Sequence, residues 1–302
     1  MERTPVAIVG YGKVGRAAAD AIAASPDFEL TGIVRRKVVS DELIRGRNWA
    51  APAVTDISHL GGVQAALMCV PTRELERMEH GLLRSGISVV DAFDIHGDAI
   101  CQHKEALHSS AIAGRAVAVI ASGWDPGIDS LIRALMELMA PRGITYTNFG
   151  PGMSMGHSVV ARSVAGVRDA ISITLPAGYG KHRRTVYVEE DGSRPFQEIV
   201  RDITRDPYFS DDDTEVFSVA SVAPLADSAH AVEISRKGTA GEASNQLLEW
   251  QMKISNPAVT AQAMLGGLRA ALKSEPGAYT LLELPVAQML PGNPKYNIKR
   301  LT

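Results

Sequence analysis

The chain has 302 residues, of which 45% are hydrophobic and 22% charged, and its 31 Lys and Arg against 34 Asp and Glu leave a formal net charge of −3. That length suits two compact domains with substantial cores, and the near-balanced charge leaves no basic footprint for nucleic acid or an anionic membrane. Apolar runs reach only strand length and a strand begins almost at once, so neither a membrane span nor a secretory leader is expected. The two cysteines, Cys69 and Cys101, make neither a disulfide framework nor a zinc motif, which points to a reducing cytoplasm.

The first element, a buried strand ending at Val9, leads directly into Gly10-Tyr11-Gly12-Lys13-Val14-Gly15, and an Ala-rich helix over residues 16–25 follows. In this G-x-G-x-x-G order Gly10 allows the tight turn and Gly12 lets backbone approach a pyrophosphate. Gly15 lets the helix lie against the strand, with the phosphate at the helix N-terminus. An ordinary strand-to-helix turn is the competing reading. The second strand, residues 29–34, ends in Arg35-Arg36-Lys37, where an NAD site would place an acid for the ribose 2′-OH. Guanidinium forks fit a 2′-phosphate instead, so the expected cofactor is NADP rather than NAD; the alternative is a solvated basic loop.

An irregular polar stretch over residues 40–51 and a short strand over 53–55 come next. Continuous apolar strands are expected at 65–70, 87–91 and 116–121, with helices at 73–85 and 98–113 between them. This is the pattern of a doubly wound parallel α/β sheet of the Rossmann type. Ligands bind such sheets at the carboxyl ends of the strands, so three loops should share a crevice. They contain Cys69-Val70-Pro71-Thr72, Ala92-Phe93-Asp94 and Ser122-Gly123. Asp94, His96 and Asp98 suggest metal ligands, but no second His/Cys cluster completes a set, and no metal is expected. Asp98 is read as a cap for the next helix. Asp125 before Pro126 has the form of an N-cap followed by Pro at N1, a use compatible with contact to a substrate.

From about Tyr146 the texture changes. Period-2 alternation in 171–175, 185–189, 231–236 and 248–254 suits a mixed or antiparallel sheet with one wet face. The Gly-rich run Asn148–Ser158 lacks the Lys-Ser/Thr of a P-loop; it is either a close backbone approach to a small ligand or an irregular connector. Asp211-Asp212-Asp213 reads as a solvated turn, and Asn256-Pro257 as the start of a helix through Leu272.

Together VAIVGYGKVGR, CVPTR, DIHGD, SGWDPG, TNFGPGMSMGHS, TLPAGYGKHRR, ISNPAVTAQ and LLELPV resemble the meso-diaminopimelate dehydrogenases over essentially the whole chain. GWDPG with FGPGMSMGHS is far more specific than the glycine fingerprint. The resemblance is to the branch with Phe and Met at Phe149 and Met155, which is associated with broader amination of 2-oxo acids.

It implies an NADP-linked, reversible oxidative deamination of meso-2,6-diaminopimelate at its D-centre, releasing ammonia, by a homodimer. It also implies residue roles. Asp94 and Asp125 hold the reacting amine, and Trp124, Phe149, Met155 and Gly156 line the substrate. Thr174, Arg184 and His230 clamp the distal carboxylate, with Arg183 as the register alternative, and Asn256 takes the L-configured end. Read alone, Arg184 is a surface cation, Thr174 a strand residue and His230 incidental. The expected division is a cofactor domain over 1–123, joined by 257–302, and a substrate and dimerisation domain over 124–256.

A sugar dehydrogenase would show Glu-Lys-Pro after a middle strand, where this chain has Val70-Pro71-Thr72. A semialdehyde dehydrogenase needs a nucleophilic Cys in the second domain, and both cysteines lie in the first. Another amino-acid dehydrogenase, a dihydrodipicolinate reductase, or a non-catalytic NADP(H) sensor are the remaining alternatives.

Overall fold

The computed structural model describes residues 3–39, 42–225 and 230–302, with His230 described by its backbone alone. In chain order it runs β1 (Thr4–Val9), α1 (Lys13–Ala23), β2 (Phe28–Val34), β3 (Leu43–Arg45), β4 (Ala50–Val54), β5 (Ala65–Met68), α2 (Thr72–Arg84), β6 (Ser88–Asp91), α3 (Asp98–Gly114), β7 (Val117–Ile120) and α4 (Ile128–Met139). There follow β8 (Arg142–Phe149), β9 (Gly152–Ser154), α5 (Met155–Ser163), β10 (Val167–Gly178), β11 (Lys181–Glu190), α6 (Phe196–Arg205), β12 (Asp213–Ser218), β13 (His230–Ala240) and β14 (Ala243–Ile254). The chain closes with α7 (Asn256–Ala271), β15 (Gly277–Thr280), α8 (Val286–Met289) and α9 (Pro294–Leu301). Two compact units result, Met1–Ile132 with Pro257–Thr302, and Arg133–Asn256.

The first unit is built on a sheet of order β15-β7-β6-β5-β1-β2-β4-β3, parallel apart from the β3–β4 pair. Its central strands are buried along their length, which is why they read as unbroken apolar runs rather than alternations. Each Ile, Leu or Val sealed there stabilises the fold by about 1.5–3 kcal/mol. Helix α1 buries Gly15, Ala18, Ala19 and Ile22, spaced i, i+3, i+4, i+7. The strand order reverses at β1, flanked by β2 and β5, and the glycine fingerprint leaves the sheet at that switch point. Helix α7 is buried on nearly all sides from Ala261 to Ala271, and β15 adds to the sheet beside β7.

The second unit has two sheets, β12-β11-β10-β9 and β14-β13-β8. Helix α6 turns Ile199 and Ile203 into a cluster with Val186, Val188 and Phe209. In β14 the alternation is clear, but Trp250 on its apolar side remains 49% exposed.

Four local expectations are corrected. The stretch over 40–51 contains β3, which hydrogen-bonds back on β4. Asp98 is the first residue of α3, and Gly97, at φ +68°, occupies the cap position. Helix α4 begins at Ile128, so Asp125 lies outside its N-cap. The intervening turn closes on itself: Ile128 N–H donates to Gly123 O (3.1 Å) and Asp129 N–H to Trp124 O (3.1 Å). Finally, residues 124–132 fall in the first unit, because Trp124 N–H donates to Thr260 Oγ1 (3.2 Å) on α7.

Candidate functional site

The fingerprint glycines meet three different demands. Gly10 sits at φ +95°, and a Cβ there would run into the Cys69 carbonyl; a Cβ on Gly15 would strike the Gly10 carbonyl. At Gly12 a Cβ would meet nothing within 4 Å. That open space lies at the N-terminus of α1, where no side chain caps the helix and the free N–H groups favour an anion. Tyr11 lies under the Arg16 guanidinium, 5.6 Å from ring centroid to Cζ, and Val14 packs into the core. At the end of β2, Arg35 pairs with Glu42 (2.9 Å) and the exposed Arg36 lies 3.4 Å from Glu74, while Lys37 is exposed. Glu42, in the stretch taken as irregular, escaped the sequence reading.

The loops after β5, β6 and β7 carry the next residues. Burial pushes the Cys69 thiol up to about 12, so it stays protonated and is no nucleophile. Thr72, opening α2 just after Val70 and Pro71, donates its hydroxyl to Asp94 Oδ1 and accepts from the Asp94 N–H (3.4 Å). Asp125 Oδ2 lies 3.9 Å from His96 Nε2, and only 16% of the Asp125 side chain is exposed. Just before Asp94, Ala92 packs against the core and Phe93 is buried. Ser122 Oγ donates to Ala263 O (3.2 Å), and the Gly123–Gly127 bridge closes the turn around Trp124, whose side chain is buried. The Trp124 indole N–H has no acceptor among the described residues.

Beneath these loops the structure adds two residues that the sequence reading passed over. Glu79 and His103 are fully enclosed with Asp91 at the end of β6. His103 Nε2 lies 3.2 Å from Asp91 Oδ2 and 3.2 Å from Glu79 Oε2. A signal for them exists in the pattern: Leu75, Glu79 and Leu83 share one buried stripe of α2, and His103, Leu107 and Ala111 one of α3, so ionisable groups occupy core positions.

In the second unit the cross-strand row Gly152–Thr174–Arg184 runs over β9, β10 and β11. Thr174 is fully buried and Arg184 nearly so. Arg184 Nη1 donates to Thr174 Oγ1, and its Nε donates to Asp212 Oδ2 (2.5 Å). Neighbouring Arg183 is exposed and pairs with Asp213 (3.0 Å), so the buried, Thr174-facing guanidinium is that of Arg184. Asp212 and Asp213 are thereby ion-pair partners rather than merely solvated acids.

Phe149 ends β8 and donates its N–H to His182 Nε2 (2.9 Å). Burial, reinforced by the Arg184 charge, holds His182 below the usual histidine range, which keeps that nitrogen able to accept. Met155 and Gly156 open α5 directly after β9. Gly150, at φ +99°, lies so close to the Thr174 carbonyl that no Cβ fits. His230 pairs with Ile254 across β13 and β14, two residues before Asn256, which opens α7; the His230 side chain lies outside the described residues.

The family profile of the diaminopimelic acid dehydrogenase C-terminal domain matches residues 123–180. The chain is 45% identical to a meso-diaminopimelate D-dehydrogenase of Bacteroides fragilis, over 97% of each chain. It belongs to the meso-diaminopimelate D-dehydrogenase family. A further family member, from Lysinibacillus sphaericus, is 31% identical over 96% of this chain and 97% of its own. Among solved structures, the Corynebacterium glutamicum DAP dehydrogenase in complex with DAP superposes with a TM-score of 0.86 at 27% identity, covering all of both chains. An engineered D-amino acid dehydrogenase of this fold, bound to NADP+, does so at 0.88 and 27%, also over all of both.

Proposed function

We propose that the chain catalyses the reversible NADP-dependent oxidative deamination of meso-2,6-diaminopimelate at its D-centre. The products are ammonia and L-2-amino-6-oxopimelate, which cyclises to tetrahydrodipicolinate. The observation that carries this reading is the 45% identity to a meso-diaminopimelate D-dehydrogenase across 97% of both chains. The open space at Gly12 and the arginines after β2 fit NADP, with Gly10–Gly15 on the pyrophosphate and Arg35 and Arg36 on the 2′-phosphate. Bound NADP+ supplies the hydride acceptor.

The chain's own residues have two tasks. Loss of hydride from Cα needs the nitrogen lone pair, so the amine must be neutral and correctly turned at that moment. Asp94, steadied by Thr72, and Asp125, on its closed turn, orient the amine and the water that hydrolyses the imine. The buried Trp124 indole N–H offers a further donor to the substrate. Arg184, with two of its five N–H groups already committed to Thr174 and Asp212, presents the rest to the distal carboxylate as a rigid fork. His230 joins that clamp, and Asn256 takes the L-configured end. Held at the far end, the substrate can present only its D-centre, and stereochemistry follows from that geometry. Phe149 and Met155 line the reacting end and leave room for simple 2-oxo acids, giving D-amino acids in the aminating direction.

Absorbance at 340 nm with NADP+ and the meso-, L,L- and D,D-isomers tests the reading. Turnover is expected on the meso isomer and not on the L,L-isomer; activity on simple D-amino acids alone would remove the distal clamp. In the same assay Arg35→Ala/Arg36→Ala should raise KM for NADP+ about 10–100-fold and leave that for NAD+ within about threefold, each charged hydrogen bond being worth about 1.5–3 kcal/mol. Equal loss with both cofactors would overturn the 2′-phosphate assignment. The enzyme works in the cytoplasm as a homodimer, whose interface includes the uncovered apolar groups of the second unit, Ile144, Leu247 and Trp250. A monomeric mass by light scattering would refute the dimer.

A further inference from the structure

Three ionisable groups outside the reacting shell are buried together in the first unit, and one of them is hydrogen-bonded to both turns that carry the proposed catalytic acids. One carboxylate does the joining. Asp91 Oδ1 accepts from the Phe93 N–H (2.8 Å) and the Ala121 N–H (2.9 Å), and the Asp91 carbonyl accepts from the Ser122 N–H (2.9 Å). The exits of β6 and β7 are thus tied to a single side chain. Ala121 stands at φ +51°, a conformation that costs a residue with a Cβ about 1–2 kcal/mol and is held by this bond. The other oxygen, Oδ2, accepts from His103 Nε2 (3.2 Å), and the His103 ring stacks on Phe93, centroids 4.5 Å apart and 14° from parallel. Asp91 therefore holds the Phe93 turn through its backbone, and His103 holds it through its ring.

We propose that Asp91, His103 and Glu79 form a buried positioning network that sets the Phe93–Asp94 and Ala121–Asp125 turns for the reaction proposed above, with Asp91 ionised, His103 protonated and Glu79 carrying a proton. Resting on that reading, the inference adds residues that touch neither substrate nor cofactor.

The charge assignment rests on the balance of charge in an enclosed site, and it leaves the His103 Nδ1 hydrogen without an acceptor among the described residues. Asp91 and Glu79 are fully buried and His103 is 4% exposed, so a cluster with two carboxylates and one imidazolium would bury an uncompensated negative charge. The His103 Nε2 hydrogen is directed at Asp91, which accepts two backbone N–H groups besides. Glu79 Oε2, at 3.2 Å, lies off that axis, and neither of its oxygens has a well-directed donor. Glu79 is thus the member that protonates. Burial pushes its carboxyl well above the usual range, and the Asp91 charge adds to it. For His103 burial alone would lower the pKa; the hydrogen bond to Asp91 and the charge on Asp91 oppose that and hold the ring above the usual histidine range. Arg73 and Glu76 of α2 line, with Phe93 and His103, a cavity of about 440 Å³ beside the cluster.

The test compares Glu79→Gln, Glu79→Ala and His103→Gln with the parent enzyme in kcat, KM and NADP+ affinity, alongside thermal melts and imidazole ¹⁵N NMR. His103→Gln should lower kcat about tenfold or more while NADP+ affinity, set at Gly12 and Arg35, stays within about threefold. Glu79→Gln, which keeps a hydrogen-bonding neutral group, should lower kcat no more than about threefold, and Glu79→Ala about tenfold. In the parent protein, NMR should find the His103 ring doubly protonated at pH 8, where an ordinary histidine is neutral. A folded His103→Gln enzyme with unchanged kcat would overturn the proposal. So would Glu79→Gln as damaging as Glu79→Ala, a neutral ring at pH 8, or stoichiometric zinc in the purified protein. The NMR result does not depend on turnover, so failure of the diaminopimelate reading and failure of the network are separable.

Discussion

Asp125→Asn should lower kcat about 10²-fold and leave NADP+ affinity within about twofold, because the change removes one charge-assisted contact to the substrate worth about 1.5–3 kcal/mol. The turn that presents this side chain does not depend on its charge. It is closed by the Gly123–Gly127 bridge, by Ile128 and Asp129 N–H bonds back to Gly123 and Trp124, and by the Trp124 N–H to Thr260. An amide of the same shape therefore stays where the carboxylate was. It can still accept from a neutral amine but no longer attracts the ammonium form that arrives from water, nor orients the attacking water as strongly. Steady-state rates at 340 nm, with cofactor binding followed separately by fluorescence, resolve the two effects. Undiminished turnover with normal cofactor affinity would remove Asp125 from the reaction.

Arg184→Leu should raise KM for meso-diaminopimelate about 10²-fold and also destabilise the protein, two effects with different origins. The first is loss of a bidentate carboxylate contact. The second arises because Thr174 Oγ1, fully buried, and Asp212 lose the group that satisfies them. Breaking a fully buried pair costs about 3–5 kcal/mol; the Asp212 side chain keeps 19% exposure and can turn to water, so about 2 kcal/mol is the expected loss. Arg184→Lys should restore part of the stability but little of the affinity, since an ammonium cannot face Thr174, Asp212 and a carboxylate in one plane. Arg183→Ala, on an exposed pair with Asp213, should change KM less than about twofold. If Arg183→Ala carried the larger KM effect, the clamp would belong to the other register. Melting curves and substrate titrations on the same preparations check all three variants.

The segments of the candidate site were legible in the sequence, and the partners within them largely were not. Gly10 and Gly15 announce themselves because each meets a local steric demand, and local demands leave a fixed spacing; Gly12, where a Cβ would meet nothing within 4 Å, is legible only from its place between them. The place of Arg35 and Arg36 directly after β2 was readable too, because that strand closes on a buried apolar run whose end the sequence marks. Glu42 beside Arg35, His182 under Phe149, and Asp212 against Arg184 come from other elements, and no spacing rule connects them. The cap assigned to Asp125 shows the opposite error. Asp-Pro satisfies a local helix-start rule, yet the chain spends residues 123–127 on a separate turn whose Gly123 and Trp124 carbonyls accept from the Ile128 and Asp129 N–H groups, and α4 starts only at Ile128.

Sequence by itself determined the parallel sheet, the cofactor class and the order in which the functional segments follow one another, because buried strands, glycine turns and charged strand ends are set within a few residues of chain. Tertiary structure alone decided which ionisable groups meet. Glu79, Asp91 and His103 come from α2, β6 and α3, and only packing those elements together removes water from all three. The protonation states that follow depend on that desolvation and on distances of about 3 Å, quantities that exist only once the chain has folded.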